Sequence, residues 1–279
     1  MSQTWDRQRI STLLLQAGRI ALEHYERPRR TLKDDGSIVT QADTAIERFL
    51  TCELTGDGAL LLGEESEMEQ GEDFAERILD HPLYIVDPID GTAPYAHHVP
   101  VWGISVGFAR SGILEEGAVY LPCTSELFIT DGPAVYLVHL PPTASSAVGA
   151  REERLVARRE PFIESGLLAI SQSQARAGQV TLPNPVHALC CAVVPLTYLL
   201  MRRYEAYVGD LKLWDVAGAL PMLHKLGYDA CLRDGSRLTA DLRDPWLQRT
   251  VPAAKRWRMS GTVLFAPPGH AAALWPHIA

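Results

Sequence analysis

Residues 83–92 read Leu-Tyr-Ile-Val-Asp-Pro-Ile-Asp-Gly-Thr, an apolar run that ends on two carboxylates, Asp87 and Asp90, followed by Gly91 and Thr92. The run has the length and composition of a strand, which places the acids at a strand end. Pro88 between them fixes its φ at about −65° and removes one N–H, so the spacing predicts a preset turn rather than a loose loop. Gly91 and Thr92 then offer backbone N–H groups and a hydroxyl. Such a turn suits a cation and a phosphate. Alone, the segment also reads as an ordinary Asp-Gly turn, and three other segments bear on the choice.

Upstream, Ile10, Leu13, Leu14, Ala17, Ile20, Ala21 and Tyr25 recur at helical spacing and predict a first amphipathic helix ending near Pro28. The polar stretch from Leu32 to Asp43 follows. A second helix is then expected, with Thr44 and Glu47 at capping-box spacing, Asp43 as an alternative cap, and Ala45, Ile46, Phe49, Leu50 and Leu54 facing inward. At this helix start Asp43 is either only a cap or a functional acid. Residues 59–62 form a short strand-like run closed by Gly63-Glu64-Glu65-Ser66.

Downstream, strands are expected at 102–109, 117–121, 127–130 and 134–138, with Gly, Pro, Asp and Ser between them, which describes an antiparallel or mixed sheet. The apolar pattern lapses over 141–160, and the boundary between an N-terminal lobe, 1–142, and a C-terminal lobe, 143–279, is placed there. The second half alternates. Strands are read at 167–170, 206–208, 228–232 and 263–266, a buried helix at 186–203, and another helix after Trp214 and Asp215 that Pro221 should kink or restart. The turn Asp234–Leu238 reads as a hairpin.

With 279 residues, 47% apolar and 22% charged, the chain is of ordinary globular composition and large enough for one big core or two modest lobes. Its formal charge of −8, from 34 acids against 26 Lys and Arg, argues against a surface that holds nucleic-acid backbone. Five cysteines without CxxC spacing, mostly in apolar surroundings, fit buried free thiols in a reducing compartment. Charges at the N-terminus, where a signal peptide needs an apolar core, predict no export and a cytoplasmic place. The longest apolar stretch, 186–200, contains His187 and Pro195 and is too short to cross a bilayer, so no membrane partner is expected.

Asp43, Glu64, Asp87, Asp90 and Asp215 each stand at the end of an expected element, where they can project into a common cleft. Converging carboxylates about 4 Å apart repel by roughly 4 kcal/mol per pair at an effective dielectric of 20, so the cluster calls for cations. Oxygen ligands with no supporting His or Cys favour Mg²⁺ first and Mn²⁺ second, and disfavour zinc. His97 and His98 lack partners at zinc-ligand spacing and read as loop residues.

The ordered segments KxDGSxVTxAD (Lys33 to Asp43), GEES (Gly63 to Ser66), DPIDGT (Asp87 to Thr92) and WDVAGA (Trp214 to Ala219) resemble the inositol monophosphatase family, within the superfamily of lithium-sensitive, magnesium-dependent phosphatases that includes fructose bisphosphatases. The resemblance implies an α/β (α+β) fold, a two-lobed layered αβαβα sandwich, usually as a homodimer. It implies that Glu64, Asp87, the carbonyl of Ile89, Asp90 and Asp215 hold two or three Mg²⁺ ions. Thr92, with Asp43 and Glu64, would orient an attacking water that a metal activates, and Gly91 and Thr92 would hold the phosphate of a small ester. Phosphate monoesters hydrolyse so slowly that the barrier must fall by roughly 20 kcal/mol or more, mostly through electrostatics.

The chain departs from the family pattern in three places. Pro94 and Tyr95 follow Ala93 where relatives commonly carry Asn-Phe, residues 224–230 replace a Glu-Ala-Gly-Gly run, and the acid that contacts inositol hydroxyls is missing. Val208 and Gly209 stand in its place, with Asp210 as a candidate substitute. Another small phosphate ester is thus at least as well supported as inositol phosphate, with histidinol phosphate and 3′-phosphoadenosine 5′-phosphate as alternatives. Lys33 is either a solvated loop charge or a phosphate contact, and Trp214 reads as packing. An aspartyl-phosphate mechanism would need DxDxT rather than DxxD. The rival from another class is a noncatalytic domain that only binds a metal or a sugar phosphate.

Overall fold

The computed structural model describes residues 5–278 apart from 34–35, 57, 68–69, 72, 142–143, 145, 158–159, 179 and 250–254. The first half runs α1 (Arg7–Tyr25), a hairpin of β1 (Arg30–Leu32) and β2 (Ile38–Thr40), α2 (Gln41–Leu54), β3 (Leu60–Gly63), α3 (Phe74–Arg77), β4 (Leu83–Asp90) and α4 (Thr92–Ala96). A meander follows: β5 (Gly103–Arg110), β6 (Ile113–Leu121), β7 (Glu126–Asp131), β8 (Ala134–His139) and β9 (Arg151–Leu155). The second half contains β10 (Leu168–Ile170), α5 (Gln172–Ala177), β11 (Val186–Ala188), α6 (Val193–Leu200), β12 (Ala206–Gly209), α7 (Leu213–Ala217), α8 (Leu220–Lys225) and β13 (Asp229–Leu232). The short pair β14 (Leu247–Gln248) and β15 (Arg258–Met259), then β16 (Val263–Ala266) and α9 (Ala271–Leu274), complete it.

Strands β3 to β9 form one seven-stranded sheet in sequence order, parallel at β3–β4 and antiparallel beyond. A second sheet of five strands has the order β11-β10-β12-β16-β13, with parallel pairs at β10–β11 and β10–β12. Five layers result. Helices α1 and α2 cover one face of the first sheet through Leu14, Ile46 and Leu50 against Val86, Ile104 and Phe108. Its other face shares a core with the second sheet, in which Ile85 and Phe128 meet Trp214, Leu220 and Phe265 with α6, α7 and α8 between. On the far side α9 closes over Ile170, Val208 and Leu264. This is the expected αβαβα sandwich. Burial of this much aliphatic and aromatic surface, at about 25 cal/mol per Å², is the main favourable contribution to folding.

The details differ from the sequence reading in five places. Helix α2 begins earlier, with Thr40 as its N-cap and Asp43 three positions on, and Thr44 is exposed. Residues 186–203 are not one helix. Val186–Ala188 form an exposed edge strand and the helix starts at Val193, because Ala192 and Val193 turn their N–H groups onto Asp90. Pro195 then falls in the first turn, where its missing N–H costs nothing. The expected boundary at 142/143 falls outside the described residues; the strands on either side of it, β8 and β9, pair in one sheet. All five cysteines are free, but Cys52 and Cys190 are exposed. Finally, the one helix expected after Asp215 is two, α7 and α8, and Pro221 sits in the first turn of the second rather than kinking a continuous helix. Among the described residues no helix is long and apolar enough to cross a membrane.

Candidate active site

Strand β4 extends through Asp90, so the proline segment is a bulge and not a turn. Asp87 stands opposite Ser105 and Asp90 opposite Gly103, three residues of β4 against two of β5. The extra residue restores the alternation that a spacing of three would break, so both acids point to one side. Pro88 has no N–H to offer the ladder, which makes the irregularity a natural place for it. The turn itself falls at Gly91, whose φ of +94° is unfavourable for any residue with a Cβ.

Asp215 reaches the same place from α7. That helix is fastened to β5 by Ser105, whose hydroxyl donates to the Trp214 carbonyl (3.4 Å) and accepts from the Gly218 N–H (3.1 Å). Trp214 is fully buried, a packing residue. Carboxylate oxygens of Asp87, Asp90 and Asp215 all lie within 4.8 Å of one another. Each is fixed differently. Asp90 Oδ2 accepts from the Ala192 N–H (2.7 Å), the Val193 N–H (2.5 Å) and the Cys191 thiol (3.1 Å), all at the start of α6. Asp215 Oδ2 accepts from the Lys212 N–H at 2.7 Å. Asp87 Oδ1 is buried and, among the described residues, has no hydrogen-bond partner.

Burial first raises the pKa of all three carboxyls, with the neighbouring acids adding to it at Asp87 and Asp215 and the bonds from Val193, Cys191 and Ala192 opposing it at Asp90. Asp90 is pushed up to about 6 and Asp215 to about 8, while Asp87 is raised well above its ordinary value by burial and by the charges of Glu64, Asp90 and Asp215. Among the described residues none of the three has a salt-bridge partner.

Glu64 lies alongside. Its N–H donates to the Val86 carbonyl at 3.3 Å, one residue before Asp87. Its carboxylate pairs with Lys33 Nζ (3.2 Å), which also holds Glu65 (2.7 Å). Burial disfavours the Lys33 ammonium, but the two glutamates outweigh it and raise its pKa. Thr92 Oγ1 donates towards Asp43 Oδ1 (3.2 Å) and the Ile89 carbonyl (3.0 Å). Asp43 Oδ2 in turn accepts from the Thr40 N–H (2.8 Å) and hydroxyl (2.6 Å), and burial lifts the Asp43 carboxyl to about 6 against those bonds. Asp210 is exposed at the end of β12, with both oxygens engaged by the hydroxyls of Ser173 and Thr262, each at 2.5 Å.

Sequence reasoning therefore points to the acids and misses what holds them. Cys191, Ala192 and Val193 sit inside an apolar run, and backbone donors carry no residue-type signal. Buried Glu47, beneath the Glu64 turn, shows in the sequence only as a partner in a cap.

The family model described as "Inositol monophosphatase family" matches residues 3–268. The chain belongs to the inositol monophosphatase family. Among its relatives, the inositol-1-monophosphatase of Rhizobium meliloti is 29% identical over 206 residues, covering 71% of this chain and 73% of that protein. The solved Thermotoga maritima IMPase superposes with a TM-score of 0.70 at 19% identity, over 96% of this chain and 94% of that one. An IMPase/NADP phosphatase solved with NADP and Ca²⁺ gives 0.71 at 14% identity, over 96% and 92%. As a family member the chain is a phosphoric monoester hydrolase. The family's divalent metals suit the donors present: oxygen atoms only, three carboxylates that repel by roughly 3–4 kcal/mol per pair, and the buried, partnerless Asp87 Oδ1.

Proposed function

We propose that this family member is a Mg²⁺-dependent phosphomonoesterase for a small phosphate ester, with Asp87, Asp90, Asp215, Glu64 and the Ile89 carbonyl as metal ligands. The observation that supports it most is the gathering of three carboxylates from β4 and α7 within 4.8 Å, one of them with a buried oxygen left over. When bound, Mg²⁺ would neutralise the acids, draw charge from the phosphate and make a water more acidic. Mn²⁺ is the expected substitute.

In this reading the chain's own residues position everything else. Above pH 6 Asp43 is largely ionised and takes the Thr92 hydroxyl proton as its hydrogen bond. The Thr92 oxygen then presents its lone pairs to a water and aims it. The Gly91 and Thr92 N–H groups hold the phosphate, and Lys33, seated on Glu64 and Glu65, adds positive charge at the same rim. Asp210 accepts the hydroxyls of Ser173 and Thr262, one on each oxygen, and the exposed carboxylate keeps a further lone pair on each with which it could receive a substrate hydroxyl. With Val208 and Gly209 where relatives carry the inositol-contacting acid, a polyol phosphate is one small ester among several. NADP, as bound by a structural neighbour, adds nucleotide 2′-phosphates.

The test is phosphate release with Mg²⁺ across inositol 1-phosphate, sugar phosphates, histidinol phosphate, 2′-AMP, NADP and 3′-phosphoadenosine 5′-phosphate, beside Asp90→Asn. Turnover of at least one ester, lost by about 100-fold or more in the variant, is expected. Equal rates in the variant would remove the metal assignment. No turnover of any ester beside tight Mg²⁺ binding would favour a noncatalytic binder. The homodimer and lithium inhibition implied by the resemblance belong to the same proposal and are checked by gel filtration and LiCl titration.

A further inference from the structure

Glu47 is a carboxylate buried to 4% exposure with no ion-pair partner among the described residues. Removing a carboxylate from water costs several kcal/mol unless its lone pairs are satisfied, so a buried acid needs a reason. Helix α2 places it one turn after Asp43, on the same inward side. It does not reach the Asp87–Asp90–Asp215 cluster. Instead its Oε2 accepts the Glu65 N–H at 2.9 Å, and the Ser66 N–H and hydroxyl act on the same carboxylate in favour of its ionised form. The turn that follows Glu64 hangs on this one group.

The residue before Glu64 shows how closely the carboxylate is seated. A Cβ on Gly63 would stand 2.2 Å from Glu47 Cδ and 2.4–2.5 Å from its two oxygens, which no ordinary contact permits. Glycine at 63 is what allows the acid under the end of β3. Glu64 is thereby bracketed: Gly63 rests on Glu47, the Glu65 N–H is bonded to Glu47, and the Glu64 N–H is bonded to β4 at Val86. With the backbone held on both sides, the Glu64 side chain starts from a fixed point, and its carboxylate meets Lys33 at 3.2 Å and is the foremost charge acting on Asp87.

We infer that Glu47 is a positioning residue that sets Glu64 for metal binding by accepting the donors of the Glu64–Ser66 turn. An apolar residue could fill the space between helix and turn without the desolvation cost. Only a carboxylate can take several donors on two oxygens. Through Asp43 and Glu47 the single helix α2 thus sets both the Thr92 hydroxyl and the Glu64 carboxylate. The inference rests on the proposed role of Glu64 and extends it to a residue that touches neither metal nor substrate.

Mg²⁺ binding measured by calorimetry on the full chain, with circular dichroism to verify folding, tests it. Glu47→Gln keeps the shape but offers one acceptor oxygen and an amide where an N–H points. It should bind Mg²⁺ about tenfold or more weakly, and turnover of p-nitrophenyl phosphate should recover as Mg²⁺ is raised. Ser66→Ala removes a single donor and should weaken binding less, by about two- to fivefold. A general loss of packing would lower the melting temperature and leave the Mg²⁺ affinity alone. Folded Glu47→Gln with wild-type Mg²⁺ affinity overturns the inference, and if that variant does not fold, unchanged affinity in Ser66→Ala does so. A wild-type chain that binds no Mg²⁺ overturns the functional proposal and takes the inference with it.

Discussion

Asp87 shows at the scale of one residue how function is held against stability. A buried acceptor without a partner costs about 1–3 kcal/mol, and here it adds to the repulsion from Asp90 and Asp215. At alkaline pH, where the cluster is ionised, Asp87→Asn removes one charge and supplies an amide that can donate to either neighbour. In EDTA at that pH the variant should therefore be more stable than the wild type by about 1–3 kcal/mol, read as a rise of a few degrees in melting temperature. Its Mg²⁺-dependent turnover should fall by about 100-fold or more. A melting temperature at or below the wild type would mean that the acids are not in conflict. Thr92 carries the complementary expectation. Thr92→Ser keeps the hydroxyl bonded to Asp43 and should retain most activity, whereas Thr92→Ala should lose about 100-fold or more in kcat with little change in KM. Equal rates for the two variants would take water orientation away from this hydroxyl.

Elements decide whether acids far apart in sequence meet. Asp215 is brought to β4 by α7, and Ser105 is the fastening: its hydroxyl serves a carbonyl at one end of that helix and an N–H at the other. Ser105→Ala takes the hydroxyl from the Trp214 carbonyl and from the buried Gly218 N–H, which is left with the Val216 carbonyl alone. It should cost about 1–3 kcal/mol in urea unfolding, and weaken Mg²⁺ binding because α7 loses its seat. Unchanged Mg²⁺ affinity beside that loss would show that α7 is held by packing alone. The same scale explains what could be read in the chain. The acids were legible because each stands at an element boundary marked by Gly, Pro or a change of period. Strand β9 was not, because its first four residues, Arg151 to Arg154, are charged and exposed, the usual protection of a sheet edge and the opposite of a strand signature. Likewise the start of α6 was hidden in an unbroken apolar run, whose division depends on Asp90, about 100 residues earlier. Such long-range backbone bonds have no local trace.

For the molecule as a whole, the gathered acids set how stability follows pH. Asp43 and Asp90 titrate near 6, Glu65 near 7 and Asp215 near 8 in the folded chain, all raised first of all by burial, against ordinary values of 3.8 for Asp and 4.5 for Glu. A carboxyl whose pKa is raised by folding favours the folded chain below its unfolded value and loses that contribution as pH climbs through the folded one. In EDTA, then, stability should decline between pH 5 and pH 8, by an amount on the order of several kcal/mol, since each tenfold change in proton affinity on folding is worth about 1.4 kcal/mol. His224, buried and pushed down, acts in the opposite direction, against these four and against Asp87, Glu47 and Glu67, which burial also raises. Bound Mg²⁺ should reverse the trend, because the cation favours the ionised cluster and binds only the folded chain. Melting temperatures across this range should fall with pH in EDTA and rise or stay level in millimolar Mg²⁺. The gap between the two curves should widen towards pH 8. Parallel curves would mean that the cation does not bind where Asp87, Asp90 and Asp215 meet, and a flat curve in EDTA would mean that folding leaves their charges unperturbed.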